Sequence, residues 1–122
     1  MAKILLVDDE PDVRNILARR LQAHGYEVVI AEDGEEALVK AGRERPDVIL
    51  LDIMLPKMNG NTVAAELQEK IETARIPVIF MTCLVNTQEA KMMSYKSGGN
   101  KIMGKPIDSA DLIKLIERAR VT

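Results

Sequence analysis

The chain has 122 residues, with 17 Lys and Arg against 19 Asp and Glu, for a net charge of −2. Hydrophobic residues make up 47% and charged residues 30%, the composition of one globular domain rather than of a disordered, collagenous or membrane chain. The near-neutral balance without a basic block argues against direct nucleic-acid binding, the single cysteine, Cys83, forbids an internal disulfide, and no apolar run approaches the ~18 residues of a membrane span. Ile4–Val7, between Lys3 and Asp8, is too short for the apolar region of a signal peptide, so the expectation is a cytoplasmic protein that does not meet a membrane.

Ile4–Val7 opens the chain as a continuous apolar run, the mark of a strand covered on both faces of a parallel sheet, and Asp8-Asp9 follows it. Val13, Ile16, Leu17 and Leu21 then recur at helical spacing, with Arg14, Arg19 and Arg20 on other faces and Gly25 as the stop. Glu27–Ala31 reads as a second strand, and Ala37, Leu38 and Ala41 mark a second helix that ends before Pro46. Val48–Leu51 is a third strand with Asp52 just past it, and Val63, Leu67 and Ile71 mark a third helix. Val78–Met81 is a fourth strand followed by Thr82, and residues 88–97 a fourth helix closed by Gly98-Gly99. Lys101–Met103 is a weaker fifth strand ahead of Lys105-Pro106, and Leu112, Leu115, Ile116 and Ala119 mark the last helix, with Asp108 as its cap and Ile107 stapled to Leu112. Five strand-then-helix units predict an α/β, doubly wound (βα)5 sandwich with a five-stranded parallel sheet, one domain over residues 1–122.

In such a sheet ligands bind outside the carboxyl ends of the strands. The residues there are Asp8 and Asp9, Asp52, Thr82 and, just past the fifth strand, Lys105: three acids, a hydroxyl and an ammonium. Clustered carboxylates repel one another unless a cation joins them, and Mg²⁺ (or Mn²⁺) suits oxygen ligands of this kind. Lys105 makes sense only if an anion arrives as well, and a phosphoryl group fits: a carboxylate can attack phosphorus, while metal, Lys105 and Thr82 stabilise the charge that develops. Residue types and spacing thus predict a metal-dependent phosphoryl-accepting site and leave open which aspartate is attacked.

Asp8-Asp9-Glu10-Pro11, the run Asp52-Ile53-Met54-Leu55-Pro56-Lys57-Met58-Asn59-Gly60, then Thr82, then Lys105-Pro106 together resemble the receiver domain of two-component response regulators, chemotaxis regulators included. The resemblance covers essentially the whole chain. It implies the flavodoxin-like strand order 2-1-3-4-5. It implies that Asp52 is the phosphoacceptor, taking its phosphoryl group from a sensor histidine kinase or phosphotransfer protein. It implies that Asp9, Asp52 and the backbone carbonyl of Met54 bind Mg²⁺ directly and Asp8 through water, that Lys105 contacts the phosphoryl group and Thr82 turns toward it, and that the Lys105–Pro106 bond is cis. Such a domain is a signalling module, not a turnover enzyme; it catalyses only its own phosphorylation and dephosphorylation. A switched face of fourth helix, fifth strand and last helix would signal to a downstream effector.

Three residues depart from or qualify that pattern. Ile102 stands where the family usually carries an aromatic switch residue, and an aliphatic chain cannot swing a ring between buried and exposed states. Met54 and Leu84, two residues past Asp52 and Thr82, are apolar and cannot orient an attacking water, which predicts a long-lived phosphorylated state. Gly99–Lys105 imitates a nucleotide-binding Gly-x4-Gly-Lys loop, but Pro106 follows where a Ser or Thr is needed. His24 is expected to serve the end of the first helix and Cys83 to be a small residue beside the site, while Met92 and Tyr95 could form a partner surface. Three rivals share the architecture. One is a pseudo-receiver scaffold. Another is an aspartyl-nucleophile phosphohydrolase, which commonly places its two acids one residue apart and carries a cap for which this chain has no length. The third is a flavin module, poorly served by three aromatic residues.

Overall fold

The computed structural model describes residues 2–82, 101–104 and 109–120. In chain order these form β1 (Lys3–Val7), α1 (Pro11–Ala23), β2 (Glu27–Ala31), α2 (Gly34–Glu44), β3 (Val48–Asp52), α3 (Gly60–Glu69), β4 (Val78–Thr82), β5 (Lys101–Gly104) and α4 (Ser109–Arg120). The strands make one parallel sheet in the order β2-β1-β3-β4-β5, a flavodoxin-like α/β arrangement. The helix expected over residues 88–97, Cys83, Leu84, Met92, Tyr95, and the Ile107–Asp108 start of the last helix lie outside the described residues.

The continuous apolar runs follow from the two covered faces. Alternate side chains point opposite ways, so Ile4, Leu6, Val48, Leu50, Ile79 and Met81 pack with Leu17, Leu21, Leu112 and Ile116 of α1 and α4. Leu5, Val7, Ile49, Leu51, Val78 and Phe80 pack with Ala37, Ala41, Val63 and Leu67 of α2 and α3. The edge strand β2 is only half-buried over Val28–Ile30.

Helix ends are set locally. Asp33 accepts from the Glu36 amide at 2.8 Å to cap α2, and Asn59 accepts from the Thr62 amide at 3.0 Å to cap α3. Helix α1 has Pro11 in its first turn, and Gly25, at φ +90, follows it in a backbone region that glycine adopts without strain. His24 is the C-cap of α1, with Nδ1 3.1 Å from the Arg20 carbonyl oxygen. Two periodic assignments need correction. Ile16 is 51% exposed, because α1 turns Ala18 inward with Leu17 and Leu21 instead. Ile71 is 96% exposed, because α3 stops at Glu69 and the chain turns back where buried Thr73 donates its hydroxyl to the Leu67 carbonyl at 2.6 Å.

At the amino-terminal end of the sheet, the Tyr26 hydroxyl ahead of β2 donates to the Glu117 carboxylate of α4, which also accepts from Arg120 at 2.8 Å. Burial, reinforced by that carboxylate, pushes the Tyr26 hydroxyl up to about 12. Glu117 is held below the usual carboxylate range by the same two donors, Tyr26 first.

Candidate functional site

The register of the two central strands builds the site. Val7 of β1 pairs with Leu51 of β3, so the next residues, Asp8 and Asp52, come side by side at the carboxyl end of the sheet. Alternation puts both on the face that carries Ile4, Leu6, Val48 and Leu50. Asp8 and Asp52 are buried, whereas Asp9 and Glu10, where the chain turns into α1, are exposed. Carboxylate oxygens of Asp8, Asp9, Glu10 and Asp52 all lie within 4.8 Å of one another.

Main-chain bonds hold this loop. The Asp8 amide donates to the Ala31 carbonyl at 3.2 Å, the Glu10 amide to Asp8 Oδ1 at 2.9 Å, and the Met54 amide to Asp52 Oδ1 at 3.0 Å. Beyond Asp52, the Ile53 amide donates to Met81 of β4 at 3.1 Å and the Gly60 amide returns to the Ile53 carbonyl at 2.8 Å. Gly60 is required there: a Cβ would stand 2.6 Å from the Asp52 carbonyl oxygen and 2.8 Å from the Ile53 Cα. The β3–α3 loop is thus folded tightly under the Asp52 main chain.

Four oxygen donors, two buried and two exposed, suit a hard divalent cation. Oxygens bound to one Mg²⁺ at about 2.1 Å stand no more than about 4.2 Å apart, so a cluster spanning up to 4.8 Å fits an ion held directly by some carboxylates and through water by others. The donor set and its size therefore fit the expected metal.

Of the residues named from the sequence, Asp8, Asp9 and Asp52 are brought together and the Met54 backbone lies against Asp52. Thr82 ends β4 opposite Gly104, and Ile102 lies opposite Phe80 in β5. The side chains of Thr82 and Ile102, and Lys105 and Pro106 altogether, lie outside the described residues. Because Lys101–Gly104 is strand, the Gly99–Lys105 stretch is not a phosphate-binding loop. Two residues join the site to which the sequence assigned no role there. Glu10 adds a fourth carboxylate. Arg14, assigned to an outer face of α1, has a side chain only 13% exposed and donates from Nη1 to the Asp8 carbonyl at 3.2 Å. The signal for Arg14 was available, since helical side chains lean toward the N-terminus and one in the first turns reaches back over the preceding loop.

Residues 4–117 match the model of the response regulator receiver domain. The chain belongs to this family. It is 38% identical to the protein PilH of Pseudomonas aeruginosa over 117 residues, 95% of each chain. It spans less than half the length of several other curated relatives that it matches. Among solved structures it superposes on the chemotaxis protein CheY4 of Vibrio cholerae with a TM-score of 0.87 at 33% identity, over 98% of both chains. It also superposes on the receiver domain of the sensor histidine kinase PA1611 of Pseudomonas aeruginosa, with a TM-score of 0.86 at 30% identity, over 99% of this chain and 98% of that one. That structure carries a magnesium ion coordinated in the active-site cleft. This chain is accordingly a receiver domain of two-component signalling. Among the described residues no helix is long and apolar enough to cross a membrane.

Proposed function

We propose that residues 1–122 act as one receiver domain that accepts a phosphoryl group on Asp52 and passes the resulting change to a partner. The observation that carries this reading is the pairing of Asp8 with Asp52 by the β1–β3 register, with Asp9 and Glu10 beside them. The Asp52 carboxylate attacks phosphorus of a phosphohistidine; the new O–P bond forms as the P–N bond breaks, and the imidazole leaves with the electron pair and picks up a proton. Asp9, Asp52 and the Met54 carbonyl would hold Mg²⁺ directly and Asp8 through water, and the ion when bound would offset their mutual repulsion and the negative charge of the incoming phosphoryl oxygens. Lys105 and Thr82 contact those oxygens, as the family pattern implies. The magnesium ion in the PA1611 receiver supports the metal assignment.

Phosphorylation would add about −1.5 to −2 charge at the end of β3. The added charge draws on Thr82 at the end of β4 and on Lys105, and biases the face that includes β5 and the last helix between two arrangements. With Ile102 in place of an aromatic, the main chain after Thr82 carries that change. A histidine kinase or phosphotransfer protein supplies the phosphoryl group, and an effector protein or domain reads the switched face.

Intact mass after incubation with phosphoramidate or acetyl phosphate, with and without Mg²⁺, tests the reading on this protein and on Asp52→Ala. The expected result is a Mg²⁺-dependent gain of one phosphoryl group that the variant lacks. No gain with Mg²⁺ binding intact would reject phosphoryl acceptance and leave a pseudo-receiver scaffold.

A further inference from the structure

Arg14 binds the acidic loop from two sides. Its backbone amide donates to the Glu10 carbonyl at 3.0 Å, and its guanidinium Nη1 donates to the Asp8 carbonyl at 3.2 Å, so the residues on either side of Asp9 each have their carbonyl held by Arg14. The second guanidinium nitrogen, Nη2, lies 3.5 Å from the Glu32 carboxylate just past β2. Arg14 therefore ties the loop after β1 to the loop after β2, alongside the Asp8 amide–Ala31 carbonyl bond. A planar, permanently charged fork suits a bridge between a carbonyl and a carboxylate, which a single ammonium spans poorly. Only 13% of the side chain is exposed, although it stands on a helix whose neighbouring residues Asp12, Asn15 and Arg19 face solvent.

We propose that Arg14 is a positioning residue of the acidic site: it fixes the main chain of Asp8–Glu10 so that the Asp9 carboxylate is presented to a divalent cation before one arrives. The inference rests on the metal reading of the site given above. Preorganisation is the reason such a bond matters. A loop that must be ordered on binding loses affinity by the cost of ordering it, and groups that orient metal ligands typically change affinity by about 10–100-fold when removed. The guanidinium also brings a positive charge near the acids, which by itself would weaken cation binding. The two effects have opposite signs, so the direction of change on removing Arg14 decides between them.

The test measures Mg²⁺ affinity by calorimetry for the unmodified protein, Arg14→Met, Arg14→Lys and Asp52→Ala. Amide hydrogen exchange at Glu10 and unfolding midpoints without metal are measured on the same samples. Arg14→Met keeps an apolar stem and the backbone amide and removes every side-chain donor; it should bind Mg²⁺ about 10-fold more weakly, the lower end for a group that orients ligands without touching the ion. Its Glu10 amide should exchange faster, with little change in the metal-free unfolding midpoint. Arg14→Lys, which keeps the charge and one bond, should lose affinity in the same direction by less, and it carries the test if Arg14→Met does not fold. Equal or tighter Mg²⁺ binding by either folded variant, beside a normal loss in Asp52→Ala, would overturn the positioning role and leave the metal site standing. No measurable binding by the unmodified protein would overturn the metal reading, and the positioning role with it.

Discussion

Gly60→Ala places a methyl group against the main chain under Asp52. The added Cβ would sit 2.6 Å from the Asp52 carbonyl oxygen, about 0.8 Å inside the 3.4 Å at which ordinary contact begins, and 2.8 Å from the Ile53 Cα. Both atoms belong to backbone, so no rotamer change relieves the clash; either the start of α3 or the end of β3 must move. The Gly60 amide–Ile53 carbonyl bond of 2.8 Å ties those two pieces together, so the displacement is passed to Asp52 and Ile53. Overpacking of this kind costs about 1–3 kcal/mol. A shift approaching 1 Å at a reacting carboxylate is enough to slow its chemistry by about 10²-fold. Urea unfolding followed by far-ultraviolet circular dichroism gives the first quantity, and the phosphoramidate rate by intact mass gives the second. Gly42→Ala is the control of opposite sign: it sits in α2 with nothing within 4 Å of its Cβ, so relief of the glycine penalty should stabilise the helix by up to about 1 kcal/mol. Unchanged midpoint and rate in Gly60→Ala would show that the β3–α3 loop yields at no cost and would refute the argument from close approach.

Two further outcomes follow from other parts of the molecule. Tyr26 titrates near 10 when unfolded and about 12 when folded, through burial first and its bond to Glu117 second, so the protonated hydroxyl contributes stability that is complete below pH 10 and is lost as pH rises toward 12. Tyr26→Phe should therefore be less stable than the unmodified protein at pH 9, by about 1 kcal/mol, and the gap in urea midpoint should narrow by pH 11.5; a constant gap would refute the assignment. Met54 is 69% exposed beside Asp52 and offers no hydrogen bond to an attacking water, so Met54→Asn should shorten the lifetime of the phosphorylated protein, measured as loss of the added mass after the donor is removed.

Much of the molecule was legible because burial was extreme. The runs 4–7, 48–51 and 78–81 are apolar at every position since both sheet faces are covered, and no other common element produces that pattern at that length. Helix faces were harder. A stripe drawn through Ile16 and Ile71 followed spacing alone, whereas α1 rotates to seat the small Ala18 against the sheet and α3 ends two residues before Ile71. At the site, the acids could be placed by a rule about strand ends, because Asp8 and Asp52 each directly follow an apolar run. Arg14 was legible only in part: its place in the first turns of α1 lets it reach back over the preceding loop, but a charged residue there ordinarily meets solvent, and only the folded loop gives its guanidinium a carbonyl to bind.

The acid pair has a history within the folding chain. Asp8 belongs to the first strand and Asp52 to the third, and only the β1–β3 register sets them side by side. Before that pairing the two carboxylates are separated by a stretch of unfolded chain, and a fragment that stopped short of β3 would lack one of them. Afterwards the folded sheet confines two buried carboxylates that offer oxygens within 4.8 Å of one another. A cation that bridges them binds the native sheet and not the separated strands, and at 100 times its dissociation constant it would raise global stability by about 2.7 kcal/mol. Cation concentration would then be a handle on the closure of the central strand pair, and metal-dependent protection of β1 and β3 amides would report on folding as directly as on signalling.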